Sequence, residues 1–321
     1  MSTTAQDGKE PIELSIVTTM FRSAPFIAEF HKRASEAAAC VASSYEIIFV
    51  NDGSPDDALA RARALVEIDT HVRVIDLSRN FGHHRAIMVG LEHSRGHRVF
   101  LIDCDLEEDP LALPGFVAEI ERTQADVVYG VQTSRRGGMI RRVGGALFWR
   151  LFNAISEVHV TPNVLTSRLM TRRYIDALLG FRERELFLAG IFGLAGFLQV
   201  PLTVDKGARA DSSYTVRKRF SLFVNAITSF SSKPLIYVFY LGMGISLVGC
   251  IAAVALVYRV IFYGGFLTGW ASLIVSIWLL CGAIVFCLGL IGIYLAKIFQ
   301  EVKDRPLSIV RATYEQTSDG S

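Results

Sequence analysis

Between Leu235 and Ala296 this 321-residue chain carries a single charged residue, Arg259. No charged residue lies between Leu235 and Tyr258, and after Arg259 the next is Lys297. A helix on the surface of a globular domain needs a polar face, so two such runs argue for a membrane. Each is long enough to cross a bilayer, which takes about 20 apolar residues. Gly264-Gly265 and Thr268-Gly269 supply a turn, giving two expected transmembrane helices at 235–259 and 270–296. Tyr237, Tyr240, Tyr258, Tyr263, Trp270 and Tyr294 lie near their ends, where aromatic belts sit.

Other shortages exclude further classes. Net charge is only +2, so composition makes no case for nucleic acid as a partner. The five cysteines form no C-x-x-C pair, which leaves neither a zinc site nor a disulfide framework supported. Residues 1–11 are polar and lack the apolar core of a signal peptide; they read as a flexible lead-in. There is no internal repeat and no low-complexity tract. What is abundant is apolar: 51% of residues are hydrophobic and mean hydropathy is +0.37. Arg217, Lys218, Arg219 and Lys233 precede the first span, and Lys297, Lys303 and Arg305 follow the second. The connecting segment offers only Arg259, so the positive-inside rule puts both termini in the cytoplasm of a multi-pass inner (plasma) membrane protein.

The first 210 residues alternate strands and helices. Leu14–Thr18, Glu46–Val50, Val72–Leu77, Val99–Ile102 and Asp126–Gly130 read as strands. Pro25–Ala42 and Pro110–Thr123 read as helices. A further helix starts at Ser54-Pro55-Asp56-Asp57, a Ser cap with Pro at the first position. Repeated βα units argue for an α/β domain, 12–210, with a mostly parallel sheet and helices on both faces. In open α/β sheets ligands bind at the C-terminal ends of the strands. Asp52 and the pair Asp103/Asp105 fall at that edge. Strand side chains alternate faces, so Asp103 and Asp105 are expected to point the same way. Two hard oxygen donors suit Mg2+ or Mn2+ shared with a substrate diphosphate. The plainer reading is a polar strand end.

The ordered set of motifs tips that balance. Val50-Asn51-Asp52-Gly53-Ser54 is followed by Leu77-Ser78-Arg79-Asn80-Phe81-Gly82-His83-His84, Asp103-Cys104-Asp105-Leu106 and Val127-Val128-Tyr129-Gly130. Then come Arg168-Leu169-Met170, Ser213-Tyr214 and Thr228–Leu235. This set resembles the membrane-anchored family 2 glycosyltransferases of GT-A fold that make polyprenyl-phosphate sugars, from about Leu14 to Pro306. The resemblance implies that Asp52 contacts the nucleotide, that Asp103 lies near it, and that Asp105 holds the metal on the diphosphate. It implies that Arg79, Asn80 and His83 shape the pocket of a UDP- or GDP-linked donor. Thr166 and Arg168 join Asp103 and Asp105 in the expected catalytic set. Each has a bland alternative: Asp52 as a turn residue, Arg79 as a surface cation, His83 as a helix-start residue.

Departures from the family pattern bear on the chemistry. Thr19-Met20-Phe21-Arg22-Ser23 replaces P-x-Y-N-E, and Asp105-Leu106-Glu107-Glu108-Asp109-Pro110 carries one more acid than D-L-Q-D-P. Many relatives have G-D-F-R-L-M, whose Asp is the proposed acceptor-side base; Thr166 stands there. Two arginines of an E-R-x-R-F-x-R-G stretch are absent from Glu183–Gly190. A lipid monophosphate, with a second pKa of about 6, is largely dianionic at neutral pH and needs positioning more than deprotonation.

The acceptor is expected where the domain meets the membrane, in a juxtamembrane segment, 211–234. Phe220, Leu222, Phe223, Ala226, Ile227 and Phe230 recur there at helical spacing. Arg209, Tyr214, Arg217, Lys218 and Arg219 are candidates for the lipid phosphate, with plain attraction to anionic headgroups as the alternative for the last three. Residues 299–321 read as a cytoplasmic tail. Gly242, Gly244 and Gly249 leave room for close helix packing, so a homo-oligomer is allowed. The expected activity is inverting transfer of a hexose-type sugar to polyprenyl phosphate, feeding cell-surface glycan or lipopolysaccharide modification. The rivals are a transferase acting on a sugar hydroxyl and a catalytically silent membrane scaffold.

Overall fold

The computed structural model describes residues 12–132, 164–181, 183, 188–204, 233–263, 269–303 and 305–316. Residues 211–232 of the expected juxtamembrane segment and all five lipid-phosphate candidates, Arg209, Tyr214, Arg217, Lys218 and Arg219, lie outside them. The chain divides into two compact units.

The first unit is an α/β layer structure. Its strands are β1 (Leu14–Met20), β2 (Tyr45–Asn51), β3 (Val72–Leu77), β4 (Arg98–Leu101), β5 (Val127–Val131), β6 (Val164–Thr171), β7 (Gln199–Thr203) and β8 (Val310–Tyr314). They form one sheet in the order β7-β5-β6-β4-β1-β2-β3-β8. The β1–β2, β1–β4, β2–β3 and β5–β7 pairs are parallel, while β4–β6, β5–β6 and β3–β8 are antiparallel. The α/β class holds, therefore, but as a mixed sheet. Helices α1 (Ile27–Ala39), α2 (Ala58–Ile68), α3 (His83–Glu92), α4 (Leu113–Thr123), α5 (Arg172–Leu179) and α6 (Leu188–Leu194) belong to it.

Central strands with helices on both faces have no polar side to show, and every residue of β3 is buried. Ile16, Phe49, Val74, Phe100 and Leu169 from the sheet pack with Phe30 of α1 and Phe116 of α4. The Phe30–Phe49 and Phe100–Phe116 rings meet edge-on at 5.7 and 5.2 Å. Such pairs add to the stabilisation from burial alone, about 1 kcal/mol each.

Three local expectations are corrected. The helix after β2 starts at Ala58, not at a Ser54 cap. The Ser54 hydroxyl instead donates to Asp56 and accepts from the Arg22 amide, and Asp56 receives the amide N–H of Ala58. Strand β4 ends at Leu101, and residues 104–107 turn, with Leu106 in left-handed backbone (φ 59°). Strand alternation is therefore not what orients Asp103 and Asp105. Finally, the expected tail contains β8, and its residues 305–316 belong with the first unit.

β8 is held at its far end by ion pairs. Glu315 pairs with Arg73 (2.9 Å) and Arg95 (3.0 Å), and the buried Arg73 also pairs with Glu46 at 2.7 Å. The Arg63 guanidinium lies 4.4 Å from the centre of the Tyr314 ring.

The second unit contains helices α7 (Lys233–Tyr263) and α8 (Trp270–Val302). Their large apolar side chains are exposed, among them Phe239, Leu247, Ile261, Leu280, Phe286 and Leu295. Among the described residues one stretch, Leu280–Phe299, is long and apolar enough to cross a membrane; Leu235–Gly249 is shorter.

Candidate active site

The C-terminal ends of β1, β2, β3 and β4 lie along one edge of the sheet because those strands run parallel. β6 and β8 run the other way, so their N-terminal ends reach the same edge. Asp52, Ser78–His83, Asp103, Asp105, Thr166 and Arg311 are thereby gathered at that edge from distant parts of the sequence.

Asp52 follows β2 and is only 2% exposed. Its carboxylate accepts the backbone N–H of Phe81 at 2.7 Å and that of Gly82 at 3.0 Å. Burial raises its pKa, opposed by those two hydrogen bonds. Both oxygens thus fix the loop after β3. Next to it Gly53 adopts φ +60°, and a Cβ there would lie 2.5 Å from the Asn80 nitrogen and 2.6 Å from the Arg79 carbonyl carbon. The two motifs, Asn51–Ser54 and Ser78–Gly82, are in backbone contact, and that contact requires glycine. Asn51 adds a third tie, donating to Asp76 at 2.8 Å and accepting from the Ser54 amide at 3.1 Å.

Arg79 and Asn80 are exposed on the loop so formed. The Arg79 guanidinium lies 4.1 Å from the centre of the Phe81 ring and donates to the Asn80 carbonyl at 3.0 Å. His83 begins α3 after Gly82, whose φ of 102° suits glycine. The His83 Nδ1 is 3.0 Å from the Thr19 hydroxyl at the end of β1, and its Nε2 is 3.5 Å from Asp103. His83 therefore joins three elements of the edge and is more than a helix-start residue.

Exposure alternates across Asp103-Cys104-Asp105. The thiol of Cys104 is buried in the core, and burial first, then Asp105 and Asp103, push its pKa up to about 12. The flanking carboxylates stay partly exposed. Asp105 accepts the Glu107 amide at 3.0 Å, which stabilises the turn. A buried neutral thiol between two accessible carboxylates leaves an all-oxygen donor set. That set fits Mg2+ or Mn2+, which bind through one or two carboxylates completed by substrate phosphates. Among the described residues no three His, Cys, Asp or Glu side chains gather to hold a metal ion.

Glu108 was not singled out from sequence, although the extra acid after Asp105 was visible there. It is 2% exposed and accepts the amides of Thr166 (3.2 Å) and Ser167 (2.8 Å). Burial raises its pKa, with Asp103 a smaller contribution in the same direction. This carboxylate brings the start of β6, and with it Thr166, to the Asp103–Asp105 turn. Arg168 pairs with Leu101, the last residue of β4, so its backbone lies beside the edge while its side chain is buried. It is 5% exposed, its guanidinium carbon lies 3.5 Å from the Phe192 ring centre, and burial lowers its pKa to about 10. Its hydrogen bonds at 3.4 and 3.5 Å go to carbonyls of its own strand. Such a side chain braces β6.

The chain belongs to glycosyl transferase family 2, which matches residues 15–177. A Mycobacterium tuberculosis protein named only as a glycosyltransferase is 47% identical over 303 residues, covering 94% of this chain and 89% of its own. The SfII prophage-derived bactoprenol glucosyl transferase of Shigella flexneri is 30% identical over 306 residues, covering 94% and 99%. Among solved structures, a glucosyl-3-phosphoglycerate synthase from Mycobacterium tuberculosis, in complex with Mn2+, uridine diphosphate and phosphoglyceric acid, is 20% identical. It aligns over 68% of this chain and 76% of its own, with a TM-score of 0.47.

Proposed function

We propose that this glycosyltransferase moves a hexose-type sugar from a UDP- or GDP-linked donor to polyprenyl phosphate at the cytoplasmic face of a membrane, inverting the anomeric centre. The observation that carries the reading is the convergence of Asp52, Ser78–His83 and Asp103/Asp105 at one sheet edge. The name of the Shigella flexneri relative, which is matched over nearly its whole length, supports the acceptor class.

In this reading the donor's nucleotide lies against the Ser78–Gly82 loop, with Arg79 and Asn80 exposed toward it. Asp52 sets that loop's position through Phe81 and Gly82. His83 orients Asp103, and Asp103 and Asp105 would hold Mg2+ or Mn2+ on the diphosphate. A divalent ion there supplies Lewis-acid stabilisation of the departing nucleoside diphosphate. Thr166 has no acid–base chemistry at neutral pH, and Glu108 beside it is occupied by two amides. The position at which many relatives carry the proposed base therefore offers none here to deprotonate an alcohol. A phosphate dianion needs no such help. This favours a lipid phosphate over a sugar hydroxyl as the nucleophile. Arg209, Tyr214, Arg217, Lys218 and Arg219 are proposed to hold that phosphate.

α7 and α8 are proposed to cross the membrane as a hairpin. The residues before and after the second unit belong to the first. A hairpin returns the chain to the side it left, which suits flanks that both belong to the first unit. The basic residues before α7 and after α8 put both ends in the cytoplasm.

The test is transfer of labelled sugar from a panel of UDP- and GDP-sugars to polyprenyl phosphate by detergent-purified protein, with Mg2+ or Mn2+, beside Asp105→Asn. A metal-dependent lipid product from one donor, lost in the variant, supports the reading. A folded wild-type protein that transfers from no donor supports the silent scaffold.

A further inference from the structure

We infer that Arg311, on the strand that follows the helical pair, is a positioning residue of the donor pocket. It fixes the Ser78–Gly82 loop from its non-ligand end, so donor affinity depends on the chain beyond α8. The inference rests on the reading that the donor binds at this edge.

The register of β8 on β3 is Val74↔Tyr314, Ile75↔Thr313 and Asp76↔Ala312, then Leu77↔Val310. Arg311 is the extra residue of the irregularity between Asp76 and Leu77. A bulge of this kind re-aims a side chain and sharpens the local twist. Here it directs Arg311 to the site edge. Its Nη2 donates to the Ser78 carbonyl at 2.6 Å, and its Nη1 lies 3.5 Å from Asp76 Oδ2. Two residues earlier the Ile309 carbonyl accepts the Ser78 amide at 2.9 Å. Both backbone groups of Ser78 are therefore held by the β8 segment.

The other carboxylate oxygen of Asp76 accepts from Asn51, which in turn accepts from the Ser54 amide. One guanidinium thus bears on both motif loops. The exposed pair Arg79-Asn80 is suspended between two anchors: Ser78, held by β8, and Phe81–Gly82, held by Asp52. Loss of the Arg311 contact leaves only the Ile309 carbonyl on Ser78 and loosens the loop where the donor is proposed to lie. The Arg311 side chain is 57% exposed and contributes little to packing. The opposite end of β8 is secured independently by Glu315 on Arg73 and Arg95. Docking of the strand and positioning of the loop are therefore separable.

The experiment uses the full chain in detergent, as wild type, Arg311→Gln, Arg311→Lys and Glu315→Gln. Donor KM and kcat are measured with the donor that the panel identifies. Amide exchange over residues 78–82 is followed by mass spectrometry without nucleotide. Arg311→Gln is expected to raise donor KM about fivefold or more with kcat within about twofold, a loss of binding not confined to the transition state. Exchange at 78–82 should quicken, and Arg311→Lys should restore part of both. Glu315→Gln should lower the melting temperature and leave donor KM unchanged. Wild-type KM and exchange in a folded Arg311→Gln protein would overturn the inference. So would identical effects of Arg311→Gln and Glu315→Gln, since the strand would then act only through global stability. If wild type turns over no donor, the proposed function fails, while the exchange measurement still decides whether Arg311 holds the loop.

Discussion

Replacing Gly53 by Ala should damage the donor side of the site more than its size suggests. The added methyl would lie 2.5 Å from the Asn80 nitrogen and 2.6 Å from the Arg79 carbonyl carbon. Both are backbone atoms and cannot rotate away. An ordinary contact to such atoms is about 3.4 Å or more, so one loop must retreat by nearly 1 Å. The Phe81 N–H to Asp52 bond, now 2.7 Å, would stretch beyond about 3.5 Å, where it ceases to count as a hydrogen bond. A hydrogen bond to a charged group contributes about 1.5–3 kcal/mol. Alanine at φ +60° costs about 1–2 kcal/mol more. The sum, about 3–5 kcal/mol, is a large part of the 5–15 kcal/mol that typically holds a domain together. For a unit of this size it corresponds to a fall of about 10 °C in melting temperature. Thermal unfolding in detergent, with and without UDP or GDP, measures it. Donor KM should rise in parallel, because the displaced loop carries Arg79 and Asn80. A fall of less than about 2 °C with unchanged nucleotide protection would refute the account of the two interlocked loops.

Other predictions follow from the same geometry. Thr166→Asp should not raise kcat with polyprenyl phosphate, since a dianionic nucleophile needs no base and the new carboxylate would sit beside Glu108; steady-state kinetics would expose a rescue. Glu108→Gln should lower stability by about 1–3 kcal/mol, because one of two buried amides loses its acceptor. Its penalty should shrink as pH rises. Burial raises the folded pKa of Glu108, so the folded wild type holds its proton more tightly than the unfolded chain. Wild-type stability from this group is thus greatest at low pH and declines as pH rises through the window above about 4.3. Melting curves of both proteins between pH 4.5 and pH 7 would check the narrowing gap. Arg168→Ala should lower the melting temperature markedly. The desolvated stack on Phe192 alone accounts for about 2 kcal/mol, and a cavity adds to it. A fully stable Arg168→Ala protein with lost turnover would instead make Arg168 a substrate contact.

Much of the site was legible because it is written in short local segments. A buried strand followed by Asn51-Asp52-Gly53-Ser54, or by Asp103-Cys104-Asp105, announces itself in sequence, and parallel topology then fixes which edge those segments share. What each carboxylate touches was not legible. Asp52 engages amides 29 and 30 residues away, and Glu108 engages amides 58 and 59 residues away. Such partners depend on strand order. That order is not monotonic, since β6 inserts antiparallel between β4 and β5. β8 carries no local signal for a related reason. Val310–Tyr314 is short and half polar, and its partner β3 lies more than 200 residues upstream. Arg168 shows the converse limit. It belongs to a telling motif, Arg168-Leu169-Met170, yet the fold buries it against Phe192, a ring whose nearness no spacing reveals.

The most direct test of the central claim compares acceptors. Release of nucleoside diphosphate from the preferred donor would be followed with polyprenyl phosphate, with the matching polyprenol, and with neither. Without a base at Thr166, sugar should pass to the phosphate and not to the alcohol, and Asp105→Asn should reduce that transfer by about 100-fold, the loss of about 3 kcal/mol of charge stabilisation. Transfer to the alcohol at a rate near that for the phosphate, or transfer undiminished in Asp105→Asn, would contradict the account.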